Sequence, residues 1–370
     1  MKDKTKKEKK PMKKSAKIIL IVAIALIAAL LLTVVGYFLY VFIASGNRVG
    51  DQTLTPEGTA SKSAIETGKD LKIVSYNIGF AAYTDDFGFF MDGGKYGRAY
   101  SKDSVKSNME NIAKVTADQK ADLYILQEVD TDSTRSYHVD EREYFKSALA
   151  GTSYSFAQNW NSPYLCYPFI KPHGAAKSGL MTVSNYTITE AARVELPVET
   201  GVMRIVDLDR CYSKSIIPAD NGKQLVLYNF HLSAYTSDGT IAVDQLKMLL
   251  EDMQAEYNKG NYCIAGGDCN KDLLGPDVFG KGDKEYSWAQ PIPEGTFDPY
   301  NVKIVAPYDS AKPVPSCRNA DGPYHEGQYV LTVDGFLVTD NVNVKSSVVV
   351  DTGFAYSDHN PVTMTFELVA

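Results

Sequence analysis

The chain has 370 residues, of which 44% are hydrophobic and 22% charged, with 27 glycines, 16 prolines and 5 cysteines. Those proportions exclude a disordered chain, a collagen-like repeat and a small disulfide-stapled scaffold, and they leave a packed globular core as the expected state. Charge is uneven: residues 1–17 hold nine lysines against Asp3 and Glu8, a local +7, so the net −7 of the whole chain leaves −14 after residue 44. An acidic body disfavours gripping nucleic acid through a broad basic face, because that affinity comes from neutralising phosphates with lysine and arginine. It leaves room for an enzyme that meets phosphate through a metal cation.

From Ile18 to Ala44 there is no charged residue. As a helix this run is roughly 40 Å long, enough to cross a ~30 Å hydrocarbon core with some tilt. A cleaved leader is the competing reading, but its apolar region is only about 7–15 residues long and is followed by small residues, unlike Phe42-Ile43-Ala44. A retained anchor is therefore expected. Lysines 2, 4, 6, 7, 9, 10, 13, 14 and 17 flank its amino end, which by the positive-inside rule stays in the cytoplasm and sends the rest outside. Tyr37, Phe38, Tyr40 and Phe42 crowd the outer end, as interfacial aromatics do.

Residues 45–70 are rich in Gly, Ser, Thr and charge and carry few large apolar side chains; they read as a flexible linker. The domain proper is expected over 71–370. Apolar runs of strand length alternate there with polar turns: LKIVSY, DLYILQEV, GLMTVS, QLVLYNF, YCIAGGD, YVLTVDGFLVT, VKSSVVV and PVTMTFEL. Two segments have helical period, 104–119 with Asp103 or Ser104 as cap, and 242–258 with Gly260 beyond its end. Strands outnumber helices, so a sheet-dominated α/β domain in one piece is expected. The five cysteines, Cys166, Cys211, Cys263, Cys269 and Cys317, are odd in number and have no C-x-x-C spacing, which predicts buried free thiols.

Residues able to bind metal or move protons recur where these runs end. Asn77 follows KIVSY, Glu128 follows LYILQ, His231 follows LVLYNF, Asp268 and Asn270 follow CIAGG, Asp334 interrupts LTVDGFLV, and Asp358 and His359 precede NPVTMTFEL. Singly, each has a plain structural use as a turn former, strand-end charge or satisfied core histidine. Together they point to one cleft rimmed by strand ends. Asp334 is the hardest to explain otherwise, because a carboxylate inside an apolar strand needs a partner or a cation.

The ordered set KIVSYN, LQE, NFHL, GGDCN, VDGFLV and SDHNPV resembles the endonuclease/exonuclease/phosphatase superfamily, the deoxyribonuclease I-like group, over Leu71 to Leu368; the anchor would make it a membrane-anchored, bacterial-type member. The resemblance implies a two-sheet α/β sandwich, here preceded by one transmembrane helix. It implies a metal site at Asn77, Glu128 and Asp358 for Mg²⁺ (or Mn²⁺/Ca²⁺), and catalytic groups at His231, Asp268, Asn270, Asp334 and His359. Hard oxygen donors fit such cations better than zinc. No covalent nucleophile is set up, so direct in-line attack by water on a phosphoester is the implied reaction. Lys177, Arg135 and Arg318 are candidate substrate contacts, with solvated loop charges as the alternative. Cys269 stands where relatives often carry an aromatic or apolar residue.

The substrate stays open between nucleic acid, a membrane phospholipid of the sphingomyelin type and a small organic phosphate, with a nuclease-type phosphodiesterase foremost. A noncatalytic binding module of the same fold would have little use for the whole polar set. The Phe87, Phe89, Phe90 and Met91 loop is expected to be buried or to stack on substrate rather than enter lipid, given Asp85, Asp86 and Asp92 beside it. No feature points to a protein partner.

Overall fold

A computed structural model describes residues 12–46, 48–198, 208–234, 240–275, 278–280, 282–283 and 288–369. The chain divides into two compact units at Asn47. Among its described residues the first holds helix α1 (Lys14–Ala44), most of whose apolar side chains are exposed, Val41 being buried, and which is long and apolar enough to cross a membrane.

The second unit runs in chain order through β1 (Gln52–Leu54), β2 (Glu57–Gly58), β3 (Leu71–Asn77), α2 (Lys102–Asp118), β4 (Leu123–Asp130), α3 (Arg142–Ala148), β5 (Ser153–Asn161), β6 (Lys177–Ser184), β7 (Glu190–Glu195) and β8 (Cys211–Pro218). It continues through β9 (Gln224–His231), α4 (Thr240–Asn258), β10 (Tyr262–Asp268), β11 (Val302–Val305), β12 (Cys317–Arg318), β13 (Val330–Leu331), β14 (Asp334–Thr339), β15 (Val342–Val349) and β16 (Val362–Leu368). Two seven-stranded sheets result, ordered β1-β7-β8-β9-β10-β14-β11 and β15-β16-β3-β4-β6-β5-β2. Their parallel pairs, β3 with β4 and β9 with β10, are the two joined through a helix, α2 and α4 respectively, as a parallel crossover requires.

Strand alternation builds the layers. Ile73, Ile125, Leu227, Ile264, Phe336 and Met364 meet between the sheets. The intervening residues Val74, Tyr76, Tyr124 and Leu126 pack under Val105, Met109 and Ile112 of α2, while Val226, Tyr228, Cys263 and Ala265 pack under Leu246, Leu250 and Met253 of α4. This is the two-sheet α/β sandwich, with a helix over each outer face. All five cysteines are free and four are buried.

Three details depart from the sequence reading. The cap of α2 is Ser101, not Asp103 or Ser104: Ser101 and Ser104 exchange side-chain and backbone hydrogen bonds at 3.0 and 2.9 Å, a reciprocal box that fixes the first turn earlier. The polar-alternating strands β5, β7 and β8 carry no continuous apolar run and escaped notice. The third departure is the linker. Residues after 47 pack onto the domain: β1 adds to β7, β2 adds to β5, and Ile65 is fully buried, its N–H on Pro218 O at 2.8 Å. Edge pairing is a backbone interaction and needs no apolar composition, so a polar stretch with one isoleucine suffices.

The domain therefore begins near Arg48, and every residue of its hydrophobic clusters lies between 54 and 368. Ile65→Ala should cost about 2–5 kcal/mol in urea unfolding of fragment 48–370, and deleting 48–70 should lower the midpoint further. An unchanged midpoint in both would show that the segment is a tether after all.

Candidate active site

Along each central strand the inter-sheet face changes from apolar to polar in steps of two: Ile73, Ser75, Asn77 on β3; Leu227, Asn229, His231 on β9; Ile264, Gly266, Asp268 on β10; and Val338, Phe336, Asp334 on β14. Register then aligns the ends. Asp268 pairs with His231 on one side and with Asp334 on the other, so three functional side chains stand abreast. Gly266 and Gly267 allow this approach: a Cβ on Gly267 would lie 1.9 Å from Phe230 O, and one on Gly266 2.5 Å from Ile125 Cδ1.

On the facing sheet, the β4–β6 register slips between Leu126 and Val129, and Glu128 has a φ of 55°. A bulge with a non-glycine residue in the left-handed region re-aims a side chain at some strain; here it turns Glu128 to the cavity. Asn77 bridges the sheets. Its Nδ2 lies 3.4 Å from Glu128 Oε1, 3.2 Å from Asp268 Oδ2 and 3.4 Å from His359 Nε2, and its Oδ1 accepts the Gly79 N–H at 3.1 Å.

His359 Nδ1 is 2.8 Å from Asp334 Oδ2, which also accepts the Ser316 hydroxyl at 2.7 Å. The carboxylate thereby fixes the imidazole tautomer and leaves Nε2 toward Asp268 Oδ2, 3.7 Å away. His231 Nε2 approaches the same oxygen at 3.4 Å. The Asn270 N–H donates to Asp268 Oδ1 at 2.8 Å, while its Nδ2 is engaged by Leu232 O at 2.8 Å.

Burial and neighbours separate these groups electrostatically. Burial, reinforced by Asp334 and opposed by His359, pushes the Asp268 carboxyl up to about 7. Burial opposes a charge on His359, yet Asp334 and the Cys317 sulfur outweigh it and hold the imidazole well above its ordinary range. His231 is held well below by burial and by Arg210, His359 and Arg135. Burial raises Glu128 against the pull of Arg135.

A cavity of about 390 Å³ opens over this cluster. It is lined by Asn77, Glu128, His231, Asp268, Asn270, Asp358 and His359, and by Tyr83, Phe89, Met91, Trp160, Arg210 and Trp288. Asp334 lies behind His359.

The basic candidates fare differently. Arg135 reaches the cavity, but its guanidinium makes two bonds to Asp130, at 3.0 and 2.8 Å, and lies between the Phe80 and Trp160 rings. Arg318 lines the cavity too, yet donates to the carbonyls of Thr84, Phe87, Asn319 and Gly322, stapling the loops beside it. Lys177 is exposed, 3.6 Å from Asp132, and is not among the lining residues. Phe89 and Met91 come from the loop expected to be buried or to stack on substrate; Tyr83, Trp160, Arg210 and Trp288 were missed, because single residues outside any motif carry no sequence signal. Cys317 was read only as a buried thiol; its sulfur sits 3.7 Å from His359 Nε2.

Glu128, Asp268 and Asp358 concentrate negative charge at one cavity with Asp334 behind it, and buried Asp334 Oδ1 has no hydrogen-bond partner among the described residues. With Arg318 engaged by loop carbonyls and Arg135 mainly by Asp130, 3.8 Å from Glu128, a hard oxygen-rich donor set of this charge still fits a divalent cation. Asp268, Asp334 and His359 also bring ligand-capable atoms within 4.8 Å of one another.

A sandwich of this topology, with an acid–imidazole pair and acidic donors between its sheets, defines a metal-dependent phosphoester hydrolase. The chain belongs to the Endonuclease/Exonuclease/phosphatase family, whose model matches residues 74–359. Among solved structures, an endonuclease/exonuclease/phosphatase from Beutenbergia cavernae DSM 12333 is 17% identical, with 82% of this chain and 72% of that one covered and a TM-score of 0.56. The crystal structure of ANGEL2, a 2',3'-cyclic phosphatase, in complex with adenosine-2',3'-vanadate is 17% identical over 86% of this chain and 99% of that one, TM-score 0.54. A family protein from Leptotrichia buccalis C-1013-b is 12% identical over 80% and 100%, TM-score 0.53. These likenesses concern the fold. No curated protein matches the chain.

The raised Asp268 has a consequence for stability. Its ordinary value is 3.8, so the folded, metal-free protein holds an extra proton between there and about 7. This contribution is full below the unfolded value and is lost as pH rises through the folded one. In chelator, Asp268→Asn should therefore gain stability over the wild type as pH goes from 5 to 8. A urea-midpoint difference that is flat or shrinks over that range would contradict the assignment.

Proposed function

We propose that the protein is a nuclease-type phosphodiesterase, tethered to a membrane by α1 with its amino terminus cytoplasmic and its domain extracytoplasmic. The observation that carries the hydrolytic reading is the Asp334–His359 pair, 2.8 Å apart, facing Asp268 and Asn77 beneath one cavity. Glu128, with Asn77 beside it and Asp358 across the cavity, would hold the cation, Mg²⁺ in preference to Mn²⁺ or Ca²⁺. Bound there, it neutralises a non-bridging phosphate oxygen and so lets an anionic diester accept a nucleophile.

The chain's own groups supply the rest. Asp268, poised near neutrality, accepts a proton from the attacking water. The Asn270 N–H holds one Asp268 oxygen in place. His359, kept cationic by Asp334, presents Nε2 to charge that grows on phosphate in the transition state. His231 stays neutral and acts as a hydrogen-bond donor to a phosphate oxygen. Asp334 positions His359 without touching substrate.

The aromatic lining favours a diester with a planar substituent. Tyr83, Phe89, Trp160 and Trp288 flank the polar cluster, and stacking on such rings is worth about 1–3 kcal/mol per nucleobase. Since the body is acidic, binding would depend on this local stacking rather than on long-range attraction, which suits nonspecific cutting. A lipid phosphodiester is the second reading, favoured by apolar side chains exposed beside the cavity mouth.

Fragment 48–370 should hydrolyse bis-p-nitrophenyl phosphate and single-stranded DNA or RNA with Mg²⁺ and lose activity in chelator. Glu128→Gln and His359→Ala should each lower kcat/KM by roughly 10²-fold or more. Chelator-insensitive turnover, or full activity in either variant, sinks the mechanism. Hydrolysis of sphingomyelin with none of nucleic acid would keep the mechanism and replace the substrate.

A further inference from the structure

We propose that the loop from Ser162 to Gly174, between β5 and β6, docks the domain onto an anionic lipid surface beside the cavity mouth. The proposal rests on the membrane-tethered reading of α1. The loop is closed at its base by Leu165 and Gly174, whose backbones exchange hydrogen bonds at 3.1 and 2.9 Å. Its tip exposes Tyr167, Phe169 and Ile170, the last two at 79% and 94%, more than any large apolar side chain of α1. Single exposed apolar residues are ordinary on a protein surface; a contiguous group is not.

The tip is held outward by a packed base. His173 is buried, its Nδ1 2.7 Å from Gly97 O, and its ring packs against Phe80, Phe89, Phe90 and Trp160. Pro163, Pro168 and Pro172 restrict the backbone between. The Phe169 ring meets Tyr167 at 5.5 Å between centroids on the same exposed tip.

Charge and chain length identify the occupant. Residues 151–189 contain no aspartate or glutamate in a domain that carries −14; Lys171 is exposed at the loop, and Lys177 beyond it is exposed but paired with Asp132 at 3.6 Å. Aromatic and aliphatic tips flanked by lysine suit the headgroup boundary of an anionic bilayer. Only seven residues separate Ala44, the end of α1, from Gln52, the start of β1. The domain then stays at high effective concentration near the bilayer, where a weak docking element is enough.

Docking here would bring the cavity to the interface. Tyr167 meets Phe90 at 5.5 Å between ring centroids, and Phe90 lies between Phe89 and the half-exposed Met91, two residues of the cavity lining.

Fragment 48–370, which builds its core from its own residues, should co-sediment with phosphatidylcholine vesicles containing 30% phosphatidylglycerol at ~0.15 M salt, and less with phosphatidylcholine alone. The double variant Phe169→Ser/Ile170→Ser should bind at least ten-fold more weakly while turning over bis-p-nitrophenyl phosphate at the wild-type rate. A Phe169→Trp variant should show a blue shift of its added emission with the same vesicles. Absence of vesicle binding by the fragment, or equal binding by the double variant, overturns the proposal, including the case in which the tip binds a protein instead. Alkaline-carbonate extraction of the full chain tests the anchor separately, because retention there depends on α1 and not on the loop.

Discussion

Two carboxylates are buried side by side at the edge of the inter-sheet core, Asp268 and Asp334, exposed by 2% and 1% and paired in antiparallel register. Removing such groups from water is costly unless hydrogen bonds and opposite charge offset it. The surrounding structure provides that offset: Ser316 and His359 on Asp334, and Asn77, the Asn270 N–H, His231 and His359 around Asp268. The compensation is incomplete, since the Asp268 carboxyl stays near neutrality. In the proposed mechanism, that residual instability is what suits it to accept a proton.

The same requirement explains how the basic residues are used. Arg135 and Arg318 are buried at the cavity wall, yet their guanidinium groups are tied to Asp130 and to four loop carbonyls. They hold the wall in shape. Arg135 still lies 3.8 Å from Glu128, so positive charge at the acidic centre comes from Arg135 and His359 as well as from the divalent cation on which the family depends. The bulge at Glu128 has a similar logic: local strain is tolerated because it turns a carboxylate toward the cavity that a regular strand would direct elsewhere.

Much of the architecture was legible before any coordinates. The apolar runs ending at Asn77, His231 and Asp268 are strands whose last residue faces the same cavity, because alternation and strand termination are local properties; Glu128 faces it only through the bulge inside β4. The edge strands β1 and β2 were not legible. Their pairing comes from partners more than ninety residues away, and their polar sequence carries no trace of it. Lys177 and Arg318 illustrate the limit for side chains. Both stand beside site segments in sequence, but only folding decides that one faces solvent near Asp132 and the other reaches Thr84 and Phe87.

By itself the sequence determined the family, the chemical type of the site and an apolar helix long enough for a bilayer, since motif order, residue chemistry and hydropathy are written along the chain. Tertiary structure alone decided where the domain begins, which arginines are already engaged, that Cys317 meets His359, and that Phe169 and Ile170 remain in solvent. These are outcomes of long-range packing and of competition for hydrogen-bond partners. Neither can be read from a residue's neighbours in the chain.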